Sequence, residues 1–177
     1  MSFTDKKVYV IAAADRNNGI GKDGKMPWKL SKEMEFFRDT TSETIDMDKK
    51  NMVIMGRTTW ESLPEKFRPL PDRKNAVLTR NDSYKAEGAD VYYSLGEALK
   101  KADMDDEIES IFIIGGEQIY EIGLPVADAI YLTRIDEEFD CDTFFPEIDK
   151  AEFYNCEEMG SEEEDGLKYS FLYYSKG

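Results

Sequence analysis

The 177-residue chain contains no histidine. That absence removes Ser-His-Asp and Cys-His nucleophilic catalysis, histidine-ligated zinc and imidazole general bases. Acid–base chemistry is left to carboxylates, Lys, Tyr, Cys, water or a substrate. Cysteine is scarce too. Cys141 and Cys156 lack C-x-x-C spacing, and in a reducing compartment they read as free thiols. No apolar run approaches the ~20 residues needed to span a bilayer. The start Met-Ser-Phe-Thr-Asp-Lys-Lys is not followed by a signal-peptide core. A cytoplasmic location without a membrane partner is therefore expected. Basic residues are few in the second half. Residues 97–177 carry 6 of them against 23 acidic ones, whereas residues 1–96 carry 17 and 15, for a net charge of −15. The acidic half argues against nucleic acid and anionic membranes as partners, and the near-neutral half is where an anionic ligand should bind. Most of the carboxylates read as solvated surface.

What is present is an alternation of short apolar runs and helical segments, the signature of an α/β sheet in one domain over residues 1–177. Strand-like runs cover 6–14, 51–56, 74–79, 89–93, 110–115, 129–135, 152–158 and 167–174. The run from Glu109 to Ile114 reads as buried on both faces. Residues 161–166 look like the tip of a hairpin, so an antiparallel end to a mostly parallel sheet is expected. Helices are expected from Ser31 to about Thr41, Thr58 to Leu63, Ser94 to Ala102 and Glu117 to Ile122, with Ser31 and Ser94 as N-caps. Residues 42–50 read as a polar surface connection.

Three constellations carry chemical potential. The first is Gly19-Ile20-Gly21-Lys22-Asp23-Gly24-Lys25-Met26-Pro27-Trp28, which follows a strand and precedes a helix bearing Glu33. Its glycines match G-x-G-x-x-G, but a dinucleotide fingerprint opens a helix directly. Here Asp15 to Asn18 intervene and Met26-Pro27 follows, so a loop over a cleft is the better reading. Glu33 and Phe37 share a helix face, which places a carboxylate in apolar surroundings. A first-turn acid also simply complements the helix dipole. The second is Gly115-Gly116, where a strand ends and a helix opens, a place for close ligand approach or merely for a tight turn. The third is Gly56-Arg57-Thr58-Thr59 with Arg80, where helix-start N–H groups, hydroxyls and cations suggest a phosphate monoester pocket, or else surface arginines paired with carboxylates.

In order and spacing these motifs resemble dihydrofolate reductase across essentially the whole chain. The resemblance is carried by Ile11-Ala12-Ala13, Gly19-Ile20-Gly21, Met26-Pro27-Trp28, Glu33 with Phe36-Phe37, and Val53 to Ser62. It continues through Arg68 to Asn75, Ile114-Gly115-Gly116, Tyr131-Leu132-Thr133 and Asp142 to Pro146. It implies NADPH-dependent reduction of dihydrofolate to tetrahydrofolate by a monomer of α/β fold, with helices on both faces of the sheet and no metal. Glu33 would sit at the pterin, supported by Thr133, with Trp28 in the loop closing over the nicotinamide. Ile11, Met34, Phe37, Leu63, Leu70 and Ile114 would line the folate pocket, and Arg73, assisted by Arg68, would clamp the glutamate tail. Ala13 and Ile20 would hold the carboxamide. Gly56, Thr58, Thr59, Gly115, Gly116, Gln118, Ile119 and Tyr120 would meet the rest of the cofactor. Arg57, Thr79 and Arg80 would form the 2′-phosphate pocket. Glu117 departs from the pattern, because a carboxylate beside a pyrophosphate must point away. The pyrimidine reductase of riboflavin synthesis and a non-catalytic nucleotide-binding module are the competing readings. The joint presence of Trp28, Glu33 and Arg73 weighs against the first, and Glu33 has no purpose in the second.

Overall fold

A computed structural model describes residues 3–176. Of the domain expected over 1–177, Met1, Ser2 and Gly177 lie outside the described residues. Ten strands are formed: β1 (Val8–Ala14), β2 (Gly19–Gly21), β3 (Lys50–Gly56), β4 (Lys74–Leu78), β5 (Asp90–Tyr92), β6 (Ile108–Gly115), β7 (Ala129–Ile135), β8 (Thr143–Phe144), β9 (Asn155–Glu164) and β10 (Leu167–Ser175). Four α-helices accompany them: α1 (Ser31–Ser42), α2 (Arg57–Ser62), α3 (Leu95–Asp103) and α4 (Glu117–Gly123). Eight strands form one sheet in the order β5-β4-β3-β6-β1-β7-β10-β9. Pairing is parallel from β5 through to β7 and antiparallel at β7–β10–β9, as the sequence suggests.

The sheet is central because β1, β3 and β6 are apolar on both faces. One face packs Val10, Ile54 and Ile113 against Leu95, Leu99 and Ala102 of α3 and Tyr120 of α4. The other packs Ile11, Val53 and Phe112 against Phe36 and Phe37 of α1 and Trp60 of α2. Helices thus cover both faces. No helix of the described residues is long and apolar enough to cross a membrane.

Three local expectations are corrected. Ser31 is not an N-cap: Leu30 holds that position, and Ser31 is the first helical residue. Ser94 does cap, its side chain accepting from Glu97 N at 3.2 Å. The strand expected over 152–158 runs instead from Asn155 to Glu164, so the hairpin turn narrows to Asp165-Gly166. These residues have φ of 53° and 80°, the left-handed pair that a two-residue turn requires. Finally, β2 and β8 escaped detection because each is too short for a two-residue alternation to register. They pair with one another, Gly19 opposite Phe144 and Gly21 opposite Thr143.

The edge strand β9 is exposed and acidic, which discourages edge-to-edge pairing. Ion pairs in the acidic half reach Asp105, Asp136, Asp140 and Glu152, and among the described residues none reaches the glutamates of β9. Going from low to near-molar sodium chloride should therefore raise the Tm by a few degrees through screening. A flat or falling Tm in thermal melts would show that this repulsion is already balanced.

Candidate active site

The parallel strands β1, β3, β4, β6 and β7 end at one edge of the sheet, and most of the candidate residues lie there. The edge is split. The β1–β6 ladder stops at Val10–Ile113, whereas β1 stays paired with β7 as far as Ala14–Arg134. Beyond Val10 the backbones of β1 and β6 therefore diverge, and a cleft opens between Ile11 and Ile114. Tyr120 of α4 bridges it, its hydroxyl 2.8 Å from the carbonyl oxygens of both Ile11 and Ile114. One phenolic hydroxyl thus links two strand carbonyls across the split. Tyr120 is 5% exposed, and its pKa is pushed well above the usual phenol value, first by burial and then by the charge of Glu33.

Glu33, in the first turn of α1, is buried and, among the described residues, has no hydrogen-bond or ion-pair partner. Burial alone drives its pKa up to about 7. Its charge is felt by Tyr120 on α4 and Tyr169 on β10, which puts it within electrostatic reach of the residue that bridges the cleft. Thr133 is buried on β7, in register with Ala13 of β1 and Phe171 of β10. Trp28 is buried with Leu30, Ile135, Tyr169 and Phe171, and Ala13 and Phe36 pack against that group. Its Nε1 has no hydrogen-bond partner among the described residues. A buried indole N–H without an acceptor marks a place where a ligand or water completes the structure.

The expected folate-lining side chains largely converge. Ile11 and Ile114 belong to one apolar cluster, and Phe37, Leu63 and Leu70 pack against it. Met34 stands apart, 50% exposed on α1. Arg73 is buried, its Nε donating to Pro71 O and its Nη1 to Thr41 Oγ1, each at 2.9 Å. Burial lowers its pKa, and among the described residues no carboxylate pairs with it within 4 Å. Arg68 is differently engaged. Its Nη1 donates to Trp60 O and Leu63 O at 3.0 and 3.3 Å, which satisfies carbonyls at the end of α2.

On the other side of the cleft lies the Gly115-Gly116 turn. Gly115 has φ 133°, and a Cβ there would fall 3.3 Å from Tyr120 Oη and 3.4 Å from Thr59 Oγ1. A side chain would thus be strained and would crowd the space above the start of α4. Gly56 is backed by Ile119, and Gln118 is exposed. Glu117 is engaged with β8: its Oε2 accepts from Phe144 N at 2.6 Å. Ile20, on β2, packs on the opposite core. Arg57 pairs with Glu61 at 3.2 Å and lies over the Tyr84 ring at 4.7 Å, while Tyr84 Oη donates to Glu61 at 2.9 Å. Thr58 and Arg80 are exposed and Thr79 is half-buried beside them. Two depressions of about 640 Å³ are present, one lined by Asn18, Arg134 and Lys150, the other by Lys50, Lys74 and Arg73. Neither contains Glu33.

Two structural roles went unread in the sequence. Asp15 is fully buried and accepts from the N–H groups of Asn17, Gly19 and Phe139 at 2.9, 2.7 and 2.8 Å, so it anchors the loop that leads to Trp28. Its signal was available, since aspartate at the head of a glycine-containing turn commonly binds its own backbone. Tyr84 as the platform for Arg57 had none, because the two meet only through tertiary packing.

Residues 7–176 match the family model described as dihydrofolate reductase. The chain is 46% identical to the dihydrofolate reductase of Heliothis virescens, over 96% of this chain and 97% of that protein. It is 40% identical to that of Aedes albopictus, over 97% and 98% respectively. It is 42% identical to the bifunctional dihydrofolate reductase-thymidylate synthase of Daucus carota, of whose length it spans 33%. Among solved structures, Schistosoma mansoni dihydrofolate reductase superposes with a TM-score of 0.82 at 35% identity, over 97% of this chain and 99% of that one. A match along nearly the full length, joined to a cleft holding a buried carboxylate and an unpartnered indole, places the chain in the dihydrofolate reductase family.

Proposed function

We propose that the chain, a reductase of dihydrofolate, takes NADPH as its reductant and uses Glu33 to organise protonation of the pterin. The observation that carries this reading is a buried carboxylate without a hydrogen-bond or ion-pair partner among the described residues, and burial pushes its pKa up to about 7. A group with that pKa is populated in both protonation states near neutrality. As a carboxylate it accepts two hydrogen bonds side by side, from the 2-amino group and ring N–H of a pterin. As an acid it holds the proton that must reach N5. Thr133, buried on the neighbouring strand, supports that network.

The same geometry fits a dinucleotide. The Gly115-Gly116 turn lets a pyrophosphate approach the backbone, with Thr58 and Thr59 beside it. Bound NADPH supplies the hydride for C6 of the substrate, chemistry that no side chain here provides. The chain's own residues bind, orient and exclude water: Ile11 and Ile114 flank the cleft from β1 and β6, and Trp28 and Leu30 belong to the apolar group beside Ala13 and Phe36. Along α1, Glu33 and Thr41 are separated by about 12 Å of helix rise, and Arg73 is bonded to Thr41. A ligand with a pterin at one end and a carboxylate at the other spans such a distance.

Cofactor choice follows from Arg57. Its guanidinium is steered by Tyr84 and only partly occupied by Glu61. A 2′-phosphate brings a denser charge and displaces that exposed pairing. NADPH is thus expected to be preferred over NADH, with charge-assisted bonds contributing roughly 1.5–3 kcal/mol each. Specificity constants for both cofactors, in wild type and Arg57→Ala, check this. Equal use of both by the wild type defeats the assignment. The reading as a whole is tested by following NADPH absorbance on addition of dihydrofolate, where binding without oxidation would overturn it.

A further inference from the structure

Glu164, the last residue of β9, reaches across to the first turn of α1. Leu30 at the N-cap offers no side-chain acceptor, and the first N–H groups of a helix have no partner within it. Glu164 supplies one. Its Oε2 accepts from Ser31 N at 2.9 Å, and its Oε1 accepts from Ser31 Oγ at 2.9 Å and from Lys32 N at 3.5 Å. Tyr169 Oη donates to the same Oε1 at 3.3 Å. The ring of Tyr169 is packed with Trp28 and Leu30, so the carboxylate is tied to the wall of the cleft as well as to the helix. The Ser31 backbone bond, with the others, holds the Glu164 carboxyl below the ordinary range. It is therefore anionic at neutral pH, the sign favoured at a helix N-terminus. The next residue after Lys32 is Glu33.

We infer that Glu164 is a positioning residue for Glu33, and that the tip of the β9–β10 hairpin fixes the first turn of α1 and with it the place of the Glu33 carboxylate. This rests on the reading of Glu33 given above. Without that acceptor, the Ser31 and Lys32 N–H groups turn to water, the first turn frays, and Glu33 loses its apolar shelter. The titratable groups that face Glu33 are Tyr120 from α4 and Tyr169 from β10. Lys32 and Glu35 on its own helix are exposed and lie 3.8 Å apart. Fraying should therefore admit water rather than a counter-charge, and the Glu33 pKa should fall toward its ordinary value.

The test compares Glu164→Ala, Glu164→Gln and Glu33→Gln in the full chain. It reads the pH profile of kcat/KM for dihydrofolate, NADPH affinity by fluorescence without substrate, and Tm. Glu164→Ala should lower kcat/KM about tenfold, leave NADPH affinity unchanged, and move the apparent pKa of the profile down by about half a unit or more. Glu164→Gln keeps an acceptor for the Ser31 N–H and should recover most of the rate, and it carries the test alone if the alanine variant does not fold. A lower Tm with an unchanged rate and profile in the Glu164 variants would overturn the inference and leave a plain helix cap. If Glu33→Gln also keeps its rate, the reading of Glu33 falls together with it.

Discussion

Replacing Arg73 with leucine should raise the KM for dihydrofolate by about 10- to 150-fold and leave turnover at saturation close to wild type. Arg73 is a buried cation held by two neutral acceptors, with no carboxylate paired to it among the described residues. A cation desolvated in this way carries a cost that an incoming anion relieves. The charge-assisted bonds formed are worth roughly 1.5–3 kcal/mol, which gives the range stated. Because Arg73 lies near the far end of α1 from Glu33, the loss should fall on binding and not on hydride transfer. A dihydropteridine substrate without the glutamate tail supplies the control. Wild type should handle it as poorly as the variant handles dihydrofolate, and the variant should lose little further. Steady-state kinetics with both substrates decide the matter. An unchanged KM for dihydrofolate in a folded Arg73→Leu protein would remove the tail clamp from this position.

The parallel part of the sheet was legible because β1, β3 and β6 are written in apolar residues bounded by glycine and polar turns. The burial of Glu33 was legible for a related reason: its spacing from Phe37 fixes which way that helix face points. The split between β1 and β6 was not, because Ile11 to Ala14 and Ile114 read as ordinary strand continuation. The pairing register shows where the ladder ends, and Tyr120 bridges the gap from α4. The capping of α1 was misread for a comparable reason. Ser31 has the right chemistry for an N-cap, but its acceptor comes from 133 residues away in sequence, and a local rule cannot see it. Arg57 and Arg68 illustrate the same limit. Pairing with a carboxylate was one of the two readings open for Arg57, but its partners Glu61 and Tyr84 were not legible, nor was the engagement of Arg68, expected to assist the tail clamp, with the carbonyls that end α2.

The largest effect is expected from Glu33→Gln. Hydride transfer to dihydrofolate at pH 7 should fall by about 10²- to 10⁴-fold, the usual worth of a positioned acid–base group. NADPH affinity should scarcely change, since the turn and arginines that meet its phosphates lie elsewhere. The stability prediction has the opposite sign. The Glu33 carboxyl has a folded pKa of about 7 against a reference of 4.5, so between those values the folded state holds more proton than the unfolded state. Wild-type stability should therefore fall as pH rises through that window and level off above about pH 7. Glutamine has no such penalty and keeps the shape. The stability of the variant relative to wild type should grow across the window, reaching on the order of 3 kcal/mol at alkaline pH. A protein that is more stable and far less active would locate the cost of the active site in this one side chain.

The most direct test is the single-turnover rate of hydride transfer as a function of pH in wild type and Glu33→Gln, with each protein saturated by NADPH. The wild-type rate should depend on a group titrating near pH 7, whereas the variant should lose that dependence. Its residual rate should instead climb steeply as pH falls and the substrate becomes protonated in solution. A folded Glu33→Gln protein with near-wild-type rates at neutral pH would contradict the proposed role of Glu33 and the placement of the active site at the mouth of this cleft.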